Sequence, residues 1–409
     1  MLLFADHGLS TAQISSLLFL WSGTAFALEI PSGAWADTVS RRGLLVLGSL
    51  LTASGFATWT LLPSYAGFAA GFVLWGVGGS LHSGTFQALL YDELAERGTT
   101  TAYPRIIGFA STATEAGALV GILVAAPLFE LGGYALVGWA SVTVVLAQAV
   151  LGASLPAAPQ VVSAAQVDDL EDDPQLTRTT VSAGGVTTYV AMLRTGLAEA
   201  LHRPAVRGGV LLAAVLYGFT AFDEYFGLLA RDGGASTAVV PLLVGLTVAG
   251  SLAGSLLAGR TAGMRSTTMA VLLVVAAVAL AAGAMLGGAG LVGVIGFALV
   301  GLGYGLLTNA TVVAEARLQD AIEGPARATV TSVAGLISEL VALAIFALVA
   351  LLSLWLTTAS LMAVLTVPVA ATALAVRRWL PRRRGGPAGP DAKVEQHDDD
   401  GTADRKDRG

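Results

Sequence analysis

Long apolar runs, separated by short polar connections, dominate this 409-residue chain. Because a helix needs about 20 apolar residues to span the hydrocarbon core of a bilayer, each run is long enough to cross a membrane. The pattern predicts membrane helices at eleven places. They are Ile14–Trp35, Gly43–Leu62, Ala66–Tyr91, Ile106–Leu128, Tyr134–Leu155, Val210–Leu229, Ala238–Ala258, Thr267–Gly287, Leu291–Val313, Val330–Leu352 and Leu354–Val376.

The positive charges indicate which ends of these helices face the cytoplasm. Lys and Arg accumulate in the cytoplasmic loops of membrane proteins. With the polar turn Asp37–Arg42 placed inside, the inside connections hold 21 of the 22 Lys and Arg residues, and the outside holds only Arg231. The sequence therefore predicts a multi-pass protein of the cell membrane, with its N-terminus outside and its C-terminus in the cytoplasm.

Composition excludes several other classes of protein. The chain is 55% hydrophobic and 12% charged, whereas soluble domains carry about 25% charged residues. It contains no cysteine, which excludes disulfides, thiol catalysis and Cys-ligated metal sites. The four histidines are too scattered for a metal site, and no hydrolase, dinucleotide or phosphate-binding motif is present. We therefore expect no catalytic residue, cofactor, metal or nucleic-acid partner.

The spacing of the apolar runs divides the chain into two bundles joined by a polar linker. The first part of the linker, with the acidic run Asp168–Asp173, is typical of disorder. The second part, Thr187–Leu201, has leucines at helical spacing and predicts an amphipathic helix on the inner membrane face. The predicted units are an N-terminal bundle of five helices (1–155), a cytoplasmic linker (156–207), a C-terminal bundle of six helices (208–380) and a disordered cytoplasmic tail (381–409).

The polar turn after the first predicted helix carries the most specific pattern. Gly33, Asp37, Arg41 and Arg42 keep the spacing of the loop motif of the major facilitator superfamily, written G-x-L-A-D-x-x-G-R-R. Gly33 allows another helix to approach closely. Asp37 can face the positive N-terminus of a neighbouring helix, and the arginines hold the turn on the cytoplasmic side. The alternative is an ordinary basic loop between two membrane helices.

Other stretches extend the resemblance over most of residues 8–380. Glu29–Gly33 leads into the motif, Ser83–Leu94 ends the fourth family helix with A-L-L-Y-D-x-L, and Arg327–Ser332 opens the eleventh. All three are similar to one subgroup of the superfamily, although Trp35 and Ser40 replace the Leu and Gly of the loop motif. The resemblance implies an all-α membrane fold of two bundles, and a secondary transporter that moves a small organic solute by alternating access.

The five helices before the linker depart from the family pattern of six. Residues Phe4–Gln13 resemble the outside connection between the first and second family helices, so the chain as written lacks the first one. We expect an upstream extension that encodes about 20 apolar residues. The alternative is a protein that works without that helix.

The resemblance also implies a conformational role for the loop motif. In the family, the acid of the motif approaches the N-terminus of the eleventh helix, which begins here near Arg327. We therefore expect Asp37 to lie against the first turn of that helix in an outward-open form. Drug–proton antiporters often carry an arginine in the fourth helix and a Gly-Pro pair in the fifth. Leu74–Ser80 lacks the arginine, and Thr114–Ala126 lacks the pair.

Export is the direction that we favour for the transporter. The alternatives are an uptake permease and a non-transporting receptor or scaffold. A central polar cavity would favour transport over the scaffold. The expected partners are a small-molecule solute, the lipid bilayer and coupling protons.

Polar side chains inside the predicted helices are the candidates for a solute or proton site. A charge near the bilayer centre costs roughly 2.5–3.5 kcal/mol on insertion scales, so it usually faces an aqueous cavity or a partner. We expect at least one of Glu115, Asp223 and Glu224 to face a central water-accessible space. Hydrogen bonds or contacts that only hold helices together are the alternative. The candidates are Glu115, Asp223, Glu224, Glu29, Glu339, Trp75, His82 and Asn309.

Overall fold

Thirteen α-helices make up most of the chain that the computed structural model describes, namely residues 1–162, 203–287, 290–322 and 327–381. The predicted amphipathic helix, the acidic run and the tail beyond residue 381 lie outside the described residues. The helices are α1 (Leu2–Asp6), α2 (Thr11–Thr38), α3 (Arg41–Leu61), α4 (Tyr65–His82), α5 (Thr85–Glu96), α6 (Tyr103–Ser154), α7 (Pro204–Gly218), α8 (Phe226–Asp232), α9 (Val240–Thr261), α10 (Ser266–Leu286), α11 (Gly290–Ala321), α12 (Arg327–Leu352) and α13 (Thr358–Trp379), with 3₁₀ turns at Thr100–Ala102 and Phe219–Tyr225.

Serine residues begin several of these helices. Ser10 caps α2, because its hydroxyl accepts the N–H of Gln13 at 3.3 Å while the Gln13 side chain accepts the N–H of Ser10 at 2.9 Å. Ser40 caps α3 by accepting the N–H of Gly43 at 3.2 Å. Ser40 stands where the loop motif has glycine, so this departure supplies a helix cap.

The helices pack as two bundles. In the first bundle, α3 packs against α4 and α6, and α4 packs against α2. In the second, α11 packs against α9, α10 and α7, while α10 also contacts α13 and α7 also contacts α12. The two bundles meet where α2 lies on α12 and where α6 lies on α9. Residues on α2 and α12 therefore face each other across the boundary between the bundles.

Glycine pairs bring α9 and α11 into direct backbone contact. A Cβ built on Gly254 would lie 2.0 Å from the carbonyl oxygen of Gly305, and one built on Gly250 would lie 2.0 Å from that of Gly301. Small residues allow this approach between membrane helices. Gly33 differs, because no described atom lies within 4 Å of a Cβ built there. The close helix approach expected at Gly33 is therefore not seen.

Nine helices in the described ranges are long and apolar enough to cross a membrane, so the predicted number of eleven is not confirmed. The predicted segments Ile106–Leu128 and Tyr134–Leu155 lie in α6, whose backbone is non-helical at Gly132 and Gly133, so the predicted break between the two segments is present as a kink. The predicted segment Ala66–Tyr91 divides into α4 and α5 at Gly84, whose φ of 67° is left-handed. This difference arises at a glycine, where an apolar pattern does not reveal a bend.

Candidate functional site

Three cavities adjoin one another inside the protein. We call them the motif-end cavity, the middle cavity and the aromatic cavity, with volumes of about 710, 180 and 590 Å³. Glu339 lines both the motif-end cavity and the middle cavity. Glu224 lines both the middle cavity and the aromatic cavity. A carboxylate therefore stands at each junction.

The motif-end cavity lies towards the end of the bundles that carries the Asp37–Arg42 turn. Its acids are Glu29 on α2, Glu315 on α11 and Glu339 on α12. Its volume is in the range of pockets that hold small molecules, roughly 300–1,000 Å³. Hydroxyl and amide side chains supply further hydrogen-bonding groups, namely those of Ser83, Tyr217, Gln319, Thr331, Ser332 and Ser338.

Glu315 was assigned to a loop by the sequence pattern, which ended the predicted helix at Val313. In the structure α11 continues to Ala321, so Glu315 lies on a helix and lines the cavity. The pattern missed it because the last turns of α11 are no longer uniformly apolar. An acid just beyond an apolar run was the available signal.

The middle cavity is built around an irregular stretch of chain. The predicted helix Val210–Leu229 changes to 3₁₀ geometry at Phe219–Tyr225, which brings Asp223 and Glu224 to the cavity. A 3₁₀ stretch within a longer helix often marks a hinge or local strain. The hydroxyl of Tyr304 on α11 lies 3.1 Å from Oδ2 of Asp223. Two adjacent acids are thus held in the interior, and one of them has a hydrogen-bonding partner on another helix.

A hydrogen bond joins the two bundles where the motif-end and middle cavities meet. The hydroxyl of Ser22 on α2 donates to Oε2 of Glu339 on α12 across 2.7 Å. Ser22 is buried and also lines the middle cavity. Hydrogen bonds to charged groups are worth about 1.5–3 kcal/mol. This hydrogen bond must break or rearrange if the two bundles move apart where the motif-end and middle cavities meet.

Aromatic side chains form much of the wall of the aromatic cavity. Phe56, Trp59, Phe72 and Trp75 line it together with Glu224. The Trp75 ring meets the Trp59 ring edge to face, with centroids 5.7 Å apart. On its other side Trp75 stacks on Trp21 of α2, at 5.0 Å and 25°. Trp75 thus borders a cavity and packs against another helix at the same time.

The bundles are in contact at the end opposite the motif. The hydroxyl of Tyr225 donates to the buried Ser15 hydroxyl at 3.0 Å, and Arg231 pairs with Asp6 at 2.9 Å. Each pair joins the first bundle to the second. Phe4 and other apolar side chains from both bundles form one continuous core around these contacts.

At the motif end, Arg41 is a buried hub rather than a surface anchor. Its guanidinium lies 2.5 Å from Asp92 and 3.2 Å from Asp37, and it also donates to the carbonyls of Ala36 and Val162. The side chains of Arg41 and Asp92 are 1% and 0% exposed. Burial raises the pKa of Asp92, and the Arg41 guanidinium opposes that shift. The Val161 N–H, which also donates to Asp92, and the Arg41 guanidinium together stabilise the ionised form of Asp92.

The residues that follow α6 fold back onto this hub. The N–H of Val161 donates to Asp92 at 2.9 Å, and the N–H of Ala158 donates to Glu93 at 2.6 Å. The exposed Arg42 donates to the carbonyl of Leu155 at 3.2 Å. The start of the predicted linker is therefore hydrogen-bonded to the turn. The sequence offered one signal for this, since Asp92 is the first acid after an apolar run at the same membrane face.

Two predicted site residues hold helices together instead of lining these cavities. Nε2 of His82 lies 3.3 Å from the Ser49 hydroxyl, which links α4 to α3. The buried Asn309 donates to the carbonyl of Gly254 at 2.9 Å, which links α11 to α9. Among the other candidates, Glu29, Trp75, Asp223, Glu224 and Glu339 line the cavities.

The side chains of two further candidates lie outside the described part of the structure. Glu115 belongs to α6, and Arg327 is the first residue of α12. The expected approach of Asp37 to the first turn of α12 therefore stays a prediction.

Two helical bundles, apolar helices of membrane-spanning length and cavities lined by acids define a multi-pass membrane protein. The sequence profile described as the Major Facilitator Superfamily matches residues 1–342. The chain therefore belongs to this superfamily.

Solved structures of transporters are similar over nearly the whole chain. The nucleoside transporter NupG matches with a TM-score of 0.64 and 14% identity, covering 91% of this chain and 92% of that one. A D-xylose-proton symporter matches with a TM-score of 0.63 and 16% identity, covering 92% and 90%. At these identities the likeness concerns the fold. A search among curated proteins found no match.

Proposed function

We propose that this chain is a secondary transporter that moves a small organic solute by alternating access, along a path formed by the three cavities. The observation that carries the proposal is the position of Glu339 and Glu224, each at the junction of two cavities. An acid at membrane depth is costly unless it has a partner or faces water. Retaining two of them along one path supports a role in moving solute or protons.

The state of the path supports an inward-facing conformation. Ser15 and Tyr225 close the end opposite the motif, while the largest of the three cavities lies towards the motif end. The distribution of Lys and Arg assigns the motif end to the cytoplasm. We accordingly propose a cell-membrane location, with the N-terminus outside and the C-terminus inside.

Coupling to protons is part of the proposal. A proton on Glu339 would remove its charge and change its hydrogen bond with Ser22, which spans the two bundles. Protonation is thereby linked to the contact that must rearrange during the cycle. Export, which we favour, and uptake would use the same path and differ in the gradient that drives them.

The cavities favour transport over a non-transporting scaffold. A scaffold needs apolar packing between its bundles and gains nothing from buried acids, each of which costs insertion free energy. The two similar structures belong to transporters named for nucleosides and D-xylose. Nucleosides and sugars are therefore sensible first solutes to test.

The experiment compares Glu339→Gln with the wild-type chain in proteoliposomes that contain a pH-sensitive dye. Labelled uridine, D-xylose and N-methylacridinium serve as solutes. We expect at least one of them to move with the wild type, and Glu339→Gln to slow its movement about tenfold or more, as loss of a charged hydrogen bond allows. Glu130→Gln, at an exposed acid on α6, is the matched control and should keep the wild-type rate. Movement that is equal in all three proteins would contradict the proposal.

A further inference from the structure

Most of the charged groups that line the path are carboxylates. Asp223, Glu224, Glu315 and Glu339 line the motif-end, middle and aromatic cavities, as does Glu29. The N-terminal ammonium of Met1 lies beside Glu224 at the aromatic cavity, and no Lys or Arg side chain appears among the described residues that line the three cavities. Arg327 begins α12 one turn before the cavity-lining Thr331, and its side chain is not described. Counting its charge as well would still leave the acids in a clear majority.

A path lined by carboxylates favours cations as occupants. Low-dielectric walls concentrate the field of the charges that they enclose and raise the local concentration of counter-ions. An ionised carboxylate away from bulk water also needs a proton or a positive partner. A cationic solute supplies a positive partner to this group of acids, whereas an anionic solute would add repulsion.

The aromatic cavity adds a second preference. Six Phe, Trp and Tyr side chains border it, and Glu224 is its acid. Aromatic faces attract cations, and Trp does so most strongly. The rings also contact each other, as the Trp59–Trp75 pair does. A cavity of about 590 Å³ lies between these rings, Glu224 and residues Met1–Phe4.

We propose that the solute is a lipophilic organic cation with a flat aromatic part. Its charge would pair with Glu339 in the motif-end and middle cavities and with Glu224 beside the aromatic cavity. Its apolar body would lie against Trp59 and Trp75. This inference rests on the proposed function and narrows it to one chemical class of substrate.

The test uses three tricyclic molecules of similar size and different charge. They are the permanent cation N-methylacridinium, the neutral N-methylacridone and the anionic acridine carboxylate. Binding to the purified full chain in lipid nanodiscs is measured by fluorescence titration at neutral pH. We expect the cation to bind at least about tenfold more tightly than the other two, because a charge-assisted contact and a cation–π contact are both lost with its charge.

Substitutions of the acids test whether the path is the source of this preference for a cation. Glu339→Gln and Glu224→Gln should each weaken binding of N-methylacridinium about tenfold and leave N-methylacridone little changed. Glu339→Asp keeps the charge and should keep the preference for the cation. Glu130→Gln again serves as the control. Elution as a single symmetrical peak in size-exclusion chromatography shows that a variant has folded.

The outcomes separate this inference from the proposed function. Equal or weaker binding of N-methylacridinium, including no binding of any of the three molecules, overturns the choice of a cation. Transport of uridine or D-xylose that depends on Glu339 would then leave the proposed function standing. A cation preference that persists in both Glu→Gln variants would also overturn the inference, since groups other than Glu339 and Glu224 would then bind the charge of the solute.

Discussion

The hydroxyl of Ser22 donates to Oε2 of Glu339 across 2.7 Å, and this bond connects α2 of the first bundle to α12 of the second. Both residues line the middle cavity, and Glu339 also lines the motif-end cavity. One hydrogen bond therefore links an acid of the cavities to the contact between the two bundles.

Removing the Ser22 hydroxyl tests that coupling. Ser22→Ala should slow transport severalfold, because Glu339 loses a donor worth about 1.5–3 kcal/mol. Ser22→Thr keeps a hydroxyl at the same position and should retain most of the rate. Initial rates are compared in proteoliposomes with matched protein content. If Ser22→Ala and Ser22→Thr behave alike, the bond has no role in the cycle.

Arg41 and Asp92 should stabilise the fold as a pair. Arg41→Ala or Asp92→Asn removes one partner of a buried pair, which typically costs about 3–5 kcal/mol. Thermal unfolding in detergent should show a large drop in midpoint for each variant. The double variant should lose less than the sum of the single losses. Arg42→Ala is the neighbouring control, and it should change stability little because Arg42 is exposed.

Asp37 should act on the conformational equilibrium more than on folding. If it lies against the first turn of α12 when the motif end is closed, it contributes about 0.3–1 kcal/mol there, and up to about 2 if partly buried. Asp37→Asn should then slow transport while leaving membrane insertion and solute binding intact. The comparison is transport rate against solute affinity in membranes with equal amounts of protein. Unchanged transport, or an equal loss of folded protein, would leave Asp37 as a loop anchor only.

Two glycines on α9 offer a matched pair of alanine variants. A Cβ at Gly254 would lie 2.0 Å from the carbonyl oxygen of Gly305, whereas no described atom lies within 4 Å of one at Gly259. Gly254→Ala should therefore force α9 and α11 apart and lower the yield of folded protein. Gly259→Ala should be neutral or stabilising by up to about 1 kcal/mol, because alanine is the better helix former. Equal yields would show that the helices adjust without cost.

Periodicity and composition were enough to predict an all-α membrane protein of two bundles, and the loop motif was enough to predict its superfamily. The length of an apolar run indicates that a segment is buried in lipid, but it does not indicate the backbone geometry of the helix. It therefore missed the break at Gly84. It also missed the 3₁₀ stretch around Asp223.

The candidate site was only partly predictable, for a related reason. Acids such as Glu224 and Glu339 stand out because charge is rare in apolar segments. Ser22 and Tyr304 do not stand out, because hydroxyl groups are tolerated anywhere along a membrane helix. Their significance comes from distances to acids on other helices, which a single sequence does not contain. The contact between Arg41 and Asp92 joins residues far apart in the chain, and it was missed for the same reason.

The central claim is that the two ends of the path open in alternation, and cysteine labelling tests it most directly. The chain contains no cysteine, so single substitutions report on one position each. Gly335→Cys reports on the motif-end cavity, which Gly335 lines with no described atom within 4 Å of its Cβ. Ser15→Cys reports on the opposite end, where Ser15 is fully buried.

For the measurement, each cysteine variant is also made in combination with Arg231→Gln. This substitution removes the exposed ion pair with Asp6 at the opposite end. Reaction with a membrane-impermeant maleimide is followed from both sides in oriented vesicles. Without Arg231→Gln, we expect Gly335→Cys to react from the cytoplasmic side and Ser15→Cys to be protected. With it, labelling of Ser15→Cys should rise about twofold to fivefold, as expected for a pair worth up to about 1 kcal/mol, while labelling of Gly335→Cys falls. Labelling that rises at both positions together, or changes at neither, would contradict alternating access.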